Sequence, residues 1–210
     1  MLEVTEAYGL TLLYPRGDDA VGASLREHGE FARPESDLIG DYLAGTPGTF
    51  IDVGANIGAI ALPVAARHPE CRVLAFEAHG GLAGVLAANA YGNRLFNVEP
   101  IHAAVGSAAG LVSFPSPRLG SVGNFGALGF GMSNPPRPAQ VRMCALDEAA
   151  PADVRFIKVD VEGFEPEVLK GASELIAARK AAWLLEAGPA NRAQVHATAA
   201  LMRDAGYRLF

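Results

Sequence analysis

Cysteine, positive charge and long apolar runs are all scarce in this 210-residue chain. Its two cysteines, Cys71 and Cys144, lack the spacing of a zinc site or a redox pair, so we expect small buried residues and no bound metal. No apolar run is long enough to cross a bilayer, which argues against a membrane partner. The net charge of −6, without a basic cluster, argues against nucleic acid as a partner.

The N-terminus also lacks a basic segment followed by an apolar one, so no secretory signal is evident. These absences together predict a cytoplasmic protein. A length of 210 residues suits one domain with a full core, and no linker or internal repeat divides the chain. We therefore expect residues 1–210 to form a single domain.

The most informative stretch is FIDVGANIG, residues 50–58, which predicts a buried strand, a tight turn and a helix. This arrangement opens nucleotide-binding α/β domains, although glycine and asparagine also occur in ordinary tight turns. A dinucleotide fingerprint needs glycine at its first, third and sixth positions, and Asn56 and Ala59 break that pattern. An NAD-dependent oxidoreductase is therefore a poor fit. The side chains of Asp52 and Asn56 suit a ligand with an ammonium, a carboxylate and a ribose, such as S-adenosylmethionine (SAM).

An acid closes the next predicted strand. Residues 71–76 form an apolar run that ends in Glu77, one helix-plus-strand unit after Asp52. In a doubly wound sheet this position lies beside the crevice, where a carboxylate can accept both hydroxyls of a ribose. The alternative is a surface acid that ends a strand. Farther along, Ala103 and Ala104 leave room either for a flat adenine ring or for tight packing against a helix.

A second group of charged residues follows the predicted strand 155–159. The alternation of that strand places Lys158, Asp160 and Glu162 toward one side. Because unpaired charges are costly to bury, we expect these residues at the carboxyl end of the strand, where the crevice opens. Asp160 and Glu162 are therefore candidates for function, whereas Glu165 fits the first turn of a helix and is expected to be structural.

Alternating strand and helix patterns predict an α/β fold with a doubly wound, mostly parallel sheet and helices on both faces. We expect the helix at 57–67 to kink at Pro63 and the third strand to run over residues 97–105. Residues 1–45 predict a cover of two short strands and helices. Residues 115–139, rich in proline and glycine, predict a lid loop inserted between the two strands of a hairpin.

These motifs together resemble the FkbM family of SAM-dependent methyltransferases. The resemblance rests on FIDVGANIG, on Phe76-Glu77 and most specifically on FIKVDVEGFEPEVLKG at residues 156–171, and it extends over most of the chain. It implies a class I methyltransferase fold, which is Rossmann-like, with SAM as cofactor and methyl transfer usually to an oxygen. The implied acceptors are hydroxyls of small molecules such as sugars and polyketide-like natural products. Ala78 and His28 depart from the family pattern, which commonly has proline and tyrosine there.

The candidate residues share a place at the predicted crevice. The expected cofactor contacts are Asp52, Gly54, Ala55, Asn56, Gly58, Glu77, Ala103 and Ala104. Asp160 and Glu162 match the family's acidic motif beside the reaction centre, and we hypothesise that one of them orients the acceptor and takes its proton. His28 and His102 are weaker candidates for that base.

Two further alternatives concern activity and assembly. A SAM-binding regulatory or accessory protein would bind the cofactor without turning over any acceptor. The class I sheet usually ends in an antiparallel hairpin, and residues 207–210 predict its first strand. An incomplete hairpin would expose a sheet edge, which we expect the N-terminal strands or a second copy in a homo-oligomer to cover.

Overall fold

The computed structural model describes residues 1–120, 123–130, 137–187 and 192–210. Its strands are β1 (Leu2–Ala7), β2 (Leu10–Pro15), β3 (Thr49–Val53), β4 (Arg72–Glu77), β5 (Val98–His102), β6 (Ala104–Val105), β7 (Gly110–Pro115), β8 (Pro138–Cys144), β9 (Val154–Val159) and β10 (Ala182–Leu185). Its helices are α1 (Val21–His28), α2 (Arg33–Gly45), α3 (Ala61–Arg67), α4 (Gly80–Gly92), α5 (Leu146–Ala149), α6 (Glu165–Lys170), α7 (Ser173–Ala178) and α8 (Arg192–Asp204).

The centre of the fold is a five-stranded sheet in the order β10-β9-β3-β4-β5, and all neighbouring strands run parallel. Strand β3 pairs with β4 on one side and with β9 on the other. The strand order therefore reverses at β3, and a crevice opens at the carboxyl ends of these strands. This topology confirms the predicted doubly wound, Rossmann-like α/β fold.

Helices cover both faces of the sheet because successive residues of each strand point to opposite sides. Phe50 of β3 packs in a core with residues of α2, α3 and α4. Its neighbour Ile51 packs in a second core with residues of α5 to α8. All five residues of β3 are buried, which explains why this strand reads as a nearly continuous apolar run.

A smaller sheet in the order β6-β8-β7 lies beside the main one. Strands β7 and β8 are antiparallel, as predicted for the hairpin that brackets the lid. The single strand predicted over 97–105 is wrong, because the chain breaks at Ala103, whose N–H donates to the carbonyl of Ile101 at 3.0 Å. That turn directs β5 into the main sheet and β6 into the small one, where β6 pairs with β8.

The N-terminal strands β1 and β2 form an antiparallel hairpin, as predicted, but they do not pair with the edge strand β10. The hairpin is instead fixed to α4. The Asn89 side chain accepts a hydrogen bond from the Leu13 N–H at 2.7 Å and donates to the carbonyls of Leu13 and Ile57, both at 3.0 Å. Within the described residues β10 pairs only with β9, so the expectation that the N-terminal strands cover this edge is wrong.

Two local expectations also fail. Helix α3 begins at Ala61 rather than near residue 57, so Pro63 lies in its first turn. The first N–H groups of a helix have no partner within it, and a proline there removes no bond and causes no kink. Residues 207–210 form no strand, and Tyr207 instead accepts a hydrogen bond from the Trp183 indole at 3.2 Å. No described helix is long and apolar enough to span a membrane.

Candidate functional site

A cavity of about 380 Å³ opens where β3, β4, β9 and β10 end. Nine of the ten predicted site residues line it: Asp52, Gly54, Ala55, Asn56, Glu77, Ala103, Ala104, Asp160 and Glu162. The exception, Gly58, is not on the wall. A Cβ at this position would lie 2.7 Å from side-chain atoms of Leu62 and Leu86, so Gly58 serves the close packing of α3 and α4.

The turn after β3 connects the β4 side of the crevice to the β9 side. Gly54 adopts a φ of +84°, and a Cβ there would overlap the carbonyl oxygen of Asp160, which follows β9. The N–H groups of Gly54 and Ala55 both donate to the Phe76 carbonyl at 2.9 Å. Only glycine allows this approach, because it combines the left-handed conformation with no side chain.

Glu77 is fixed by the same turn. One carboxylate oxygen accepts the Asn56 N–H at 2.8 Å, and the other accepts the His79 N–H at 2.7 Å. Asn56 itself has a φ of +53°, a conformation that asparagine tolerates better than most residues. Burial raises the pKa of Glu77 to about 7, although the two backbone hydrogen bonds oppose the shift. Glu77 is thus oriented by the backbone on the cavity wall, where each oxygen has capacity for one more donor.

A buried lysine lies between two acids at the ends of β3 and β9. Asp52 and Lys158 are register partners on these strands, and the Lys158 Nζ lies 3.6 Å from Asp52 Oδ1 and 3.0 Å from Asp160 Oδ2. Burial alone would lower the pKa of Lys158, but the charges of Asp52 and Asp160 raise it. The lysine therefore remains a cation in this site.

Neither carboxyl oxygen of Asp52 has a hydrogen-bond partner among the described residues, although the side chain is only 1% exposed. Burial raises the pKa of Asp52, and the charge of Lys158 opposes that shift. A buried polar atom without a partner is costly in a folded protein. Because Asp52 lines the cavity, a positively charged ligand group would remove that cost.

Three carboxyl groups meet where β9 and β10 end. Oxygens of Asp160, Glu162 and Glu186 all lie within 4.8 Å of one another. Burial and then the charge of Asp160 raise the pKa of Glu186 to about 8, and the same two causes raise the pKa of Glu162. Glu165 accepts the N–H groups of Val161 and Gly163 at 3.2 Å, which fits its expected structural role.

Both the N-terminal cover and the inserted loop contribute to the wall. Phe31 and Glu35 reach it from the cover, and Phe125 and Phe130 reach it from the loop. Phe125 is 4% exposed, and its ring lies edge-on to His79 at a centroid distance of 6.4 Å. Residues 121–122 and 131–136 of the predicted lid lie outside the described residues. The described part of the loop closes one side of the cavity.

The two histidines considered as bases lie elsewhere. His28 is exposed at the end of α1, and His102 contacts the Ala78 carbonyl at 3.2 Å, and neither lines the cavity. Sequence reasoning missed Glu186 and Glu35 as wall residues. A signal for Glu186 was present, because it directly follows the apolar run of β10, much as Asp160 follows β9 and Glu77 ends β4.

Comparison with known proteins agrees with this geometry. Residues 52–209 match the family model described as "Methyltransferase FkbM domain". A crystal structure of methyltransferase FkbM from Methylobacillus flagellatus KT is similar with a TM-score of 0.53 and 18% identity, over 74% of this chain and 37% of that one. The chain thus spans well under half the length of that structure. None of the curated proteins matches.

A second similar structure is a precorrin-6y C5,15-methyltransferase from Geobacter metallireducens GS-15. It has a TM-score of 0.49 and 15% identity, over 82% of this chain and 71% of that one. The Methylobacillus structure supports the fold, whereas the family assignment rests on the family model, which covers most of the chain and every predicted site residue. The chain belongs to the FkbM methyltransferase domain family.

Proposed function

We propose that this methyltransferase uses SAM and transfers its methyl group to a hydroxyl oxygen of a small molecule, such as a sugar or another natural product. The observation that carries the cofactor assignment is the buried carboxyl of Asp52 on the cavity wall, whose two oxygens have no hydrogen-bond partner among the described residues. Glu77, at the end of the neighbouring strand, provides a second acid on the same wall.

The residues on the wall fit the parts of SAM. Asp52 would receive the ammonium group, and Glu77 has free acceptor capacity for the ribose hydroxyls. The small side chains of Ala103 and Ala104 leave space for the adenine ring. When bound, SAM supplies an electrophilic methyl group on a positively charged sulfur.

The tasks left to the chain are to orient the acceptor, exclude water and remove a proton. Phe31, Phe125 and Phe130 supply apolar wall that keeps water out. The Asp160 carboxylate is held by Lys158 at 3.0 Å and is placed to orient the acceptor hydroxyl. Glu162, whose pKa is raised first by burial and then by the charge of Asp160, is the better base for the hydroxyl proton.

The cofactor assignment is tested by calorimetry with SAM, S-adenosylhomocysteine (SAH) and NAD as separate ligands. We expect heat from SAM and SAH and none from NAD. Asp52→Asn should weaken SAH binding by about tenfold or more, because the ammonium loses its charged partner. Glu174→Gln, an exposed acid on α7, is the matched control and should bind SAH as the wild type does. Folded wild-type protein that binds neither SAM nor SAH would contradict the proposal.

The catalytic assignment is tested by methyl transfer to a panel of sugars and phenols, followed by mass spectrometry. We expect Glu162→Gln and Asp160→Asn to lower the rate by about 10² to 10⁴, the usual contribution of a positioned acid or base. Unchanged rates in both variants would remove these residues from the mechanism. Binding of SAH without turnover of any acceptor would instead favour the accessory-protein alternative.

A further inference from the structure

The charges on the cavity wall are strongly unbalanced. Within the described residues its only basic side chain is Lys158. Six acidic side chains share the wall: Glu35, Asp52, Glu77, Asp160, Glu162 and Glu186. SAM carries one net positive charge when its amine is protonated and its carboxyl is ionised. Lysine and cofactor together match at most two of these six acids, and the pKa values of Glu77 and Glu186, raised to about 7 and about 8, indicate that part of the remaining acid is held as protonated carboxyl.

Lys158 compensates only part of the acidic charge on this wall. Lys158 lies between Asp52 and Asp160 and forms ion pairs with both. Glu162 and Glu186 form no ion pair with any described residue. The charge of Asp160 raises the pKa of each after burial does, and Glu186 also shares a side-chain hydrogen bond with Asp160. Like charges this close are held together at a cost that a cation would remove.

Aromatic rings form another part of the wall. The ring of Phe130 lies 5.0 Å from Phe114 and 4.3 Å from Phe164, measured between centroids, and Phe130 and Phe114 both line the cavity. Aromatic faces attract cations electrostatically and accept apolar groups as well. An anionic acceptor, such as a phosphorylated or carboxylated sugar, would meet repulsion from the acids and no compensating contact.

We infer that the methyl acceptor carries a protonated amine, which binds among Asp160, Glu162 and Glu186 beside the hydroxyl that receives the methyl group. This inference rests on the proposed function and adds the chemical class of the acceptor. Asp52 on the same wall supports it, because neither of its carboxyl oxygens has a hydrogen-bond partner among the described residues and its ion-pair partner Lys158, 3.6 Å away, is shared with Asp160.

The test uses the folded protein saturated with SAH and titrated with matched probes in a calorimeter. The pairs are tyramine with N-acetyltyramine and glucosamine with N-acetylglucosamine. In each pair only the free amine carries a positive charge. We expect each amine to bind at least about tenfold more tightly than its acetylated partner, as befits hydrogen bonds to charged groups. Amine binding should also release protons, because a cation lowers the raised pKa of Glu162 and Glu186.

Substitutions at the acids test where the preferred amine binds. Combining Glu162→Gln with Glu186→Gln should abolish the preference for the amine, and both side chains are exposed enough to be replaced without unfolding the protein. The control Glu174→Gln, far from the cavity wall, should keep the preference. A preference that survives the double variant would place the amine elsewhere and overturn the inference.

The outcomes separate this inference from the proposed function. Failure to bind SAH removes the proposed function, and the inference with it. Binding of SAH with equal affinity for both members of each pair, or with no binding of either amine, removes the inference alone. Magnesium chloride is titrated as a separate probe. Tight binding of Mg²⁺ without an amine preference would show that the three acids form a metal site instead.

Discussion

Glu77 and Glu186 both stand at the carboxyl ends of parallel strands in one sheet, yet their surroundings differ. Glu77 accepts N–H groups from Asn56 and His79, so its charge is met by backbone dipoles. Glu186 faces Asp160, and this like charge, after burial, raises its pKa to about 8. The same position in the topology thus produces an oriented acceptor in one half of the cavity and an unbalanced acid in the other.

Under the proposed function, this difference would assign the cofactor to one half of the cavity and the acceptor to the other. The half formed by β3 and β4 is built from backbone hydrogen bonds, which hold a fixed shape suited to a constant cofactor. The half formed by β9 and β10 has charges whose partner is missing from the described chain, which suits a substrate that brings its own charge. The two halves touch where Gly54 meets the carbonyl of Asp160.

Gly54→Ala should break that contact and have the largest effect. The added Cβ would overlap a backbone oxygen and force alanine into a left-handed conformation, so we expect a loss of about 5 kcal/mol in the free energy of unfolding. The measurement is urea denaturation. Gly84→Ala is the matched control in α4, where a Cβ meets nothing within 4 Å, and it should stabilise the protein by up to about 1 kcal/mol. A Gly54→Ala protein as stable as the wild type would disprove the close approach.

Lys158→Met should have the next largest effect, because it leaves Asp52 buried without a counter-charge. Breaking a buried pair from one side costs about 3 to 4 kcal/mol, and the cost should shrink in acid as Asp52 takes up a proton. Chemical denaturation of Lys158→Met across pH measures both effects. The exposed pair between Arg72 and Glu99 is the comparison, and Glu99→Gln should cost less than about 1 kcal/mol. Equal losses of unfolding free energy in Lys158→Met and Glu99→Gln would show that burial does not determine the cost of breaking an ion pair.

The pH dependence of stability distinguishes the two acids themselves. The pKa of Glu77 is about 7 in the folded protein and lower in the unfolded chain, so the folded state holds the proton to higher pH. The stabilisation from protonated Glu77 is full below the pKa of Glu77 in the unfolded chain. It is lost as the pH rises through the folded pKa of about 7, by up to about 3 kcal/mol. We expect Glu77→Gln to flatten the fall in stability between about pH 5 and about pH 7.5.

Glu186→Gln should flatten a separate part of the plot of stability against pH. That part extends to about pH 8, where the folded pKa of Glu186 lies. The change should be smaller than for Glu77→Gln, because Glu186 is more exposed to solvent. Urea denaturation at matched pH values measures both variants. Identical curves for both would mean that the two strand-end acids share one environment.

Much of the half formed by β3 and β4, where we propose that the cofactor binds, was predictable because its signals are local. The strand, the glycine turn and the acid at Glu77 all occur within 28 consecutive residues, 50–77, and each follows from short-range rules about strands and turns. The structure places Asp52, Asn56 and Glu77 on one wall, as the sequence predicted. The predicted kink at Pro63 was wrong because α3 begins only at Ala61, and that start depends on the turn before the helix.

The half formed by β9 and β10, where we propose that the acceptor binds, was less predictable because its contacts join distant parts of the chain. Glu186 becomes a neighbour of Asp160 only through the pairing of β10 with β9. The break at Ala103 likewise depends on a second sheet, which accepts β6 beside β8. Neither pairing leaves a local pattern, because register between strands far apart is set by the packing of the helices between them.

The sequence alone determined the elements, their order and the acids that end the strands, because apolar periodicity and turn residues act over a few positions. The tertiary structure alone decided which acids share a wall, that Lys158 compensates Asp52 and Asp160, and that Glu162 and Glu186 are left unpaired. The physical reason is that electrostatic energy depends on separation in space and on burial. Both are fixed only when the sheet has assembled and the helices have covered it.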